Sequence, residues 1–123
     1  MIAIELTNQS PAFLPGDAIE GTVRWSEEQG TSLEIRLIWF TQGKGDRDFE
    51  LIDVHTVPSL APSGSERFQF QAPHRPQSFS GKLISLQWAI EAIVFPHEST
   101  ARQDLTISST GSEITLVNHA LDE

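Results

Sequence analysis

The sequence contains no cysteine and no tyrosine, a single methionine, and only eight lysine and arginine side chains against seventeen acidic ones. The missing thiols exclude a disulfide framework, a thiolate zinc site, an iron–sulfur cluster and a cysteine nucleophile. They also fit a reducing compartment. The scarcity of basic residues leaves a formal net charge of −9 over 123 residues. A nucleic-acid binder displaces counterions from phosphates with clustered lysines and arginines, and here these residues are few and scattered. The same deficit argues against docking on an anionic membrane. No window approaches about 18 uninterrupted apolar residues, so no membrane insertion is expected. The first eleven residues, MIAIELTNQSP, have no basic stretch leading into an apolar one, so no secretory signal is read there. The expected location is therefore cytoplasmic. A 3.6-residue apolar stripe is absent as well, which removes the long amphipathic helix from the candidate elements.

What the chain does have is alternation with a period of two. In residues 18–25, Ile19, Val23 and Trp25 oppose Glu20, Thr22 and Arg24. In 33–41, Leu33, Ile35, Leu37 and Trp39 share one side, with Glu34 and Arg36 on the other. Phe68 and Phe70 alternate with Arg67, Gln69 and Gln71. In 82–95, Ile84, Leu86, Trp88, Ile90, Ala92 and Val94 point one way, with Leu83, Ala89, Ile93 and Phe95 as apolar exceptions opposite. A pleated strand turns successive side chains to opposite faces, so this is the pattern of half-buried antiparallel strands. Weaker strands are expected at Ile2–Ile4–Leu6, over 49–57 with both faces partly apolar, near 100–108 and near 113–119. Turn residues separate them, among them Pro15-Gly16, the 43–48 stretch, Pro58, Gly64 and the long proline-bounded connection 73–81. That connection suggests a crossover between sheets. The fold class expected is all-β: an immunoglobulin-like antiparallel β-sandwich of about seven to eight strands, a closed barrel being the alternative. The length fits one domain over 1–123, with no repeat or linker to divide it.

Two ordered segments add to this. The first is Phe13-Leu14-Pro15-Gly16-Asp17-Ala18-Ile19-Glu20-Gly21-Thr22-Val23. The second is Arg67-Phe68-Gln69-Phe70-Gln71-Ala72-Pro73, followed by Pro76, Ser78-Phe79-Ser80-Gly81 and Leu86-Gln87-Trp88-Ala89-Ile90-Glu91-Ala92. Together they resemble the arrestin-like family, with Trp88 where a tyrosine is common. The resemblance implies one immunoglobulin-type lobe, similar to a lobe of arrestins, α-arrestins, the retromer arrestin-like subunit or bacterial sporulation-control proteins. It also implies a bias toward protein interaction. Those relatives have two lobes, and 123 residues leave room for one. The lobe is thus expected to work alone, or to meet a second copy or a partner where the other lobe would be. The basic phosphate-sensing residues and the interlobe network of buried charges find no counterpart here. A Pro-Pro-x-Tyr tail is excluded by the lack of tyrosine.

Candidate chemical constellations are weak beside their structural readings. Trp25, Trp39 and Trp88 fall in the apolar register of their own strands, which favours core packing over a sugar-stacking platform. Asp46, Asp48 and Glu50 have the alternate spacing of a calcium loop, but Leu51 stands where the loop glycine is required, and Lys44 and Arg47 supply counter-charge. A solvated hairpin tip is the favoured reading. Gly43-Lys44-Gly45 lacks the spacing of a phosphate loop. His55, His74, His97 and His119 are never spaced as ligand pairs. Asp53 and His55 share a strand face, yet no Gly-x-Ser-x-Gly elbow accompanies them. No catalytic, metal or cofactor site is assigned. The expectation is a non-enzymatic scaffold or adaptor with protein partners, the alternative being a small-ligand module, for instance one binding carbohydrate. The candidate interaction loops carry Lys44, Asp46, Arg47 and Asp48, then His74, Arg75 and Phe79. The candidate edge strands carry Ile2 and Ile4 at one end and Thr115 and Val117 at the other. Such edges can recruit a strand from a partner or from a second copy as a homo-oligomer.

Overall fold

Residues that alternate in the sequence alternate in the fold. The computed structural model describes residues 1–8, 10–43, 48–76, 78–81, 84–96, 99–109 and 114–116. Its strands are β1 (Ile2–Leu6), β2 (Ala12–Phe13), β3 (Ala18–Trp25), β4 (Ser32–Gly43), β5 (Phe49–Val57), β6 (Gly64–Gln71), β7 (Phe79–Gly81), β8 (Ile84–Phe95), β9 (Ser99–Ile107) and β10 (Ile114–Leu116). Seven of these have five or more residues, while β2, β7 and β10 are only two or three long. Among the described residues there is no helix, and so none that is long and apolar enough to cross a membrane.

The strands form two sheets. The smaller has the order β1-β3-β6, antiparallel throughout. In the larger, β8 lies between β4 and β9, and β5 continues the sheet beyond β4. The short strand β7 also pairs with β8, and β10 lies parallel to β7. The chain changes sheet between β6 and β7, which makes the 73–81 connection a crossover. Ser78 fastens its far end: its hydroxyl accepts from the Ile107 amide at 3.0 Å, and its own amide donates to the Ile107 carbonyl at 2.8 Å.

The core lies between the facing registers. Ile19, Val23 and Trp25 of β3 and Phe68 and Phe70 of β6 pack toward Leu33, Ile35 and Leu37 of β4 and Leu86, Trp88, Ile90, Ala92 and Val94 of β8. Phe13, Leu105 and Ile107 complete it. Phe68 and Phe70 bring their ring centroids to 5.7 Å. This is a two-layer sandwich, not a barrel.

The turn at Leu14–Asp17 shows how local sequence sets a strand's start. The Asp17 amide donates to the Leu14 carbonyl at 3.0 Å, and Gly16 has φ = 91°. Proline then glycine at the two central positions is the chemistry of a type II turn. A Cβ at Gly16 would meet nothing within 4 Å. The effect of Gly16→Ala is therefore conformational alone, and a loss of about 1 kcal/mol in chemical denaturation is expected.

Candidate interaction surface

The loop candidates divide. Lys44, Asp46 and Arg47 lie outside the described residues, as do Val117, His97 and His119. Asp48 is exposed, and its amide donates to the Thr41 hydroxyl at 2.8 Å, which ties the base of the β4–β5 hairpin. His74 and Arg75 are exposed on the crossover. Phe79 begins β7, pairing with Leu86 on one side and Ile114 on the other. Thr115 pairs with Ser80 in β10. Ile2 and Ile4 stand on β1, whose one ladder partner among the described residues is β3, and their side chains pack against the core. On that flank β1 also lies against β9.

His55 finds a partner that the sequence did not suggest. Its Nε2 is 2.7 Å from Glu66 Oε2, both side chains being half-buried where β5 and β6 face each other. Asp53 instead accepts a hydrogen bond from the Val54 amide at 2.8 Å. Among the described residues no three metal-ligating side chains come together. Trp25 and Trp88 are 8% and 0% exposed, and their indole N–H groups donate to the carbonyls of Ala61 at 2.9 Å and Pro76 at 2.7 Å. Trp39 packs partly buried against the core.

The most unusual surface is on β5. From Leu33 to Leu37, β4 pairs with β5 in strict register, Leu37 opposite Asp53. The next pair is Ile38 with Leu51, so Ile52 is an extra residue in β5. Its side chain packs against the core. Opposed residues share a face, so the bulge puts Phe49, Leu51 and Val54 together on the outer face, beside Phe40, Ile38 and Arg36. These three β5 residues are 57%, 44% and 43% exposed.

The rest of that outer face is better covered. Ile38, Ala89 and Ile93 are buried there. Arg102 stacks on the Phe40 ring at 4.9 Å and pairs with Asp104 at 3.1 Å. Arg36 lies 5.8 Å from the Phe95 ring centroid and pairs with Glu34 at 2.8 Å and Glu91 at 3.9 Å. A shallow hollow of about 400 Å³ lies where the two regions meet, lined by Phe40, Thr41, Gln42, Asp48, Phe49 and Arg102. Sequence reading passes over Phe49, Leu51 and Val54 because β5 is central in chain order. The signal that marks them is that both alternating sets of 49–57 are partly apolar, as an exposed row plus a core contact requires.

No protein-family model matches the chain, and no curated protein matches its sequence. Solved structures do match in fold. Spo0M, a sporulation control protein from Bacillus subtilis, superposes with a TM-score of 0.61 at 15% identity over 87% of this chain. That match takes in 48% of Spo0M, so the chain spans about half its length. A β-glucosidase from Listeria innocua, solved with gluconolactone, matches 93% of this chain but 16% of its own, at 10% identity and a TM-score of 0.49. At that score the β-glucosidase carries no argument about this chain.

Proposed function

We propose that this chain, an arrestin-like β-sandwich in fold, is a non-enzymatic intracellular interaction module that holds a protein partner on its surface. The observation that carries this reading is the exposed apolar row Phe49, Leu51 and Val54 on an edge strand. Single exposed apolar residues are ordinary, but three adjacent ones on one face mark a contact surface. Spo0M's description as a control protein suits a role exercised through contacts rather than turnover. The net charge of −9 keeps such an adaptor soluble and away from phosphate-rich ligands.

The test is capture from native lysate on the immobilised chain, followed by reconstitution of the complex from purified components. A partner that reconstitutes at a fixed stoichiometry supports the reading. Failure of every captured protein to reconstitute, together with turnover of a small molecule by the chain, overturns it.

The carbohydrate reading has a direct check. Two of the three tryptophans lie in the core with their N–H groups occupied, so neither offers a ring face to a sugar. Tryptophan emission should be blue-shifted, resist acrylamide quenching and remain unchanged by added mono- and oligosaccharides. A sugar-dependent shift in emission would instead favour ligand binding.

A further inference from the structure

The two sheets end together on one flank, at β5 and β6, bridged by the His55–Glu66 contact. Among the described residues each strand has a single ladder partner, so one side of its backbone has no neighbouring strand among them. The edges differ in chemistry. β6 turns Ser65, Arg67, Gln69 and Gln71 outward, all polar, in register with Arg24, Thr22, Glu20 and Ala18. β5 turns out Phe49, Leu51 and Val54. Asp48, Glu50 and Asp53 are also exposed along β5 and its hairpin base, and among the described residues none of the three forms an ion pair.

We infer that β5 is the docking edge, and that its occupant is an extended peptide segment of a partner in which apolar and basic residues alternate. This inference rests on the protein-interaction reading above. A strand added beside β5 gains main-chain hydrogen bonds from the edge, and its side chains alternate between two faces. On the outer face they meet Phe49, Leu51 and Val54, which favours apolar residues. On the other face they meet Glu50 and Asp53, which favours lysine or arginine, because opposite charges across a ladder stabilise it and like charges do not. That last point separates a foreign peptide from a second copy. Pairing β5 with itself brings Glu50 and Asp53 of two chains, each of net charge −9, to a shared edge.

The probe is a synthetic peptide of about nine residues alternating lysine and valine, titrated into the full chain and followed by calorimetry. Two controls accompany it: the same peptide with glutamate for lysine, and one of unchanged charge with prolines replacing alternate valines. The lysine–valine peptide should bind about tenfold or more tighter than either control, since one lacks the charge match and the other cannot pair. Hydrogen exchange should show new protection within 49–57. The double variant Leu51→Lys/Val54→Lys changes only exposed side chains, and its fold is verified by circular dichroism. It should lose about tenfold in affinity for the peptide.

No binding of the lysine–valine peptide overturns the proposal, as does equal binding of the proline control. Protection confined to β1 or β6, or a chain that light scattering shows to be a dimer joined through β5, overturns it too. A reconstituted partner that binds wild type and the double variant equally overturns this docking edge while leaving the interaction reading in place. Failure to reconstitute any partner strikes at the reading itself.

Discussion

Trp88→Ala is expected to remove about 3–5 kcal/mol of stability, the range for deleting a large aromatic from a packed interior. Trp88 is fully buried in the middle of β8, opposite Trp39 on β4 and Leu105 on β9. Its indole N–H donates to the Pro76 carbonyl at 2.7 Å, so one side chain joins the sheet interior to the crossover between sheets. Truncation empties the space and leaves that carbonyl without its donor. Domains of this kind have only about 5–15 kcal/mol in total, so the variant should be partly unfolded at moderate temperature. Trp88→Phe separates the two contributions: it refills most of the volume but restores no hydrogen bond. Its cost should be about 1–3 kcal/mol. Urea denaturation followed by circular dichroism measures both. Equal losses for the two variants would show that packing at this position contributes little.

Gly21→Ala is the second large effect, in the opposite sense of adding an atom. Gly21 lies in β3 between Leu6 of β1 and Phe68 of β6. A Cβ there would fall 2.6 Å from the Glu5 carbonyl oxygen and 2.6 Å from the Phe68 ring. A ring can tilt away, but the carbonyl belongs to the β1 backbone and moves only with its strand. The expected loss is about 1–3 kcal/mol, with Gly21→Val costing more. Adding Phe68→Leu to Gly21→Ala should restore only part of the loss, because it relieves the ring and leaves the backbone contact. Full recovery in the double variant would show that the ring alone was the obstacle. Both results are read from denaturation midpoints.

These two positions also show how much of the fold is legible in the sequence. Trp88 is readable as core from phase, because it shares its alternating side with Ile84, Leu86, Ile90, Ala92 and Val94. The limits expected for β3 and β5 match the strands, and the proline-bounded 73–81 stretch is the crossover its composition suggests. A glycine inside a strand, as at Gly21, goes with a bulge or with a close backbone approach. The unshifted pairing of β3 with both neighbours and the nearness of Glu5 make it the latter. The two-residue strand β2 and the three-residue β7 and β10 are too short for any period to register. Ala89 and Ile93, apolar exceptions on β8, prove to belong to an outer layer bordered by arginine-capped aromatic rings. Alternation along one strand cannot reveal what an adjacent strand lays over it. Sequence spacing sets His55 beside Asp53, its near neighbour, whereas its partner Glu66 comes from the other sheet. The apolar row of β5 stayed hidden for a related reason. A strand's position in chain order says nothing about its position in the sheet.

The extra residue Ile52 gives β5 a phase slip, and this bears on what the strand can tolerate. Leu51 and Asp53 oppose adjacent residues of β4, Ile38 and Leu37. Deleting Ile52 would therefore leave every other β5 side chain on the face it now occupies, at the loss of one core contact. Sliding the whole strand by a residue would be far more disruptive, since each half would exchange its faces. The slip thus works as an index mark for the hairpin: only one alignment of β5 on β4 lets both halves fit at once. It also divides the outer edge into two straight runs, 49–51 and 53–57. β4, regular in its own pairing with β8, spans both runs by setting the consecutive residues Leu37 and Ile38 opposite Asp53 and Leu51.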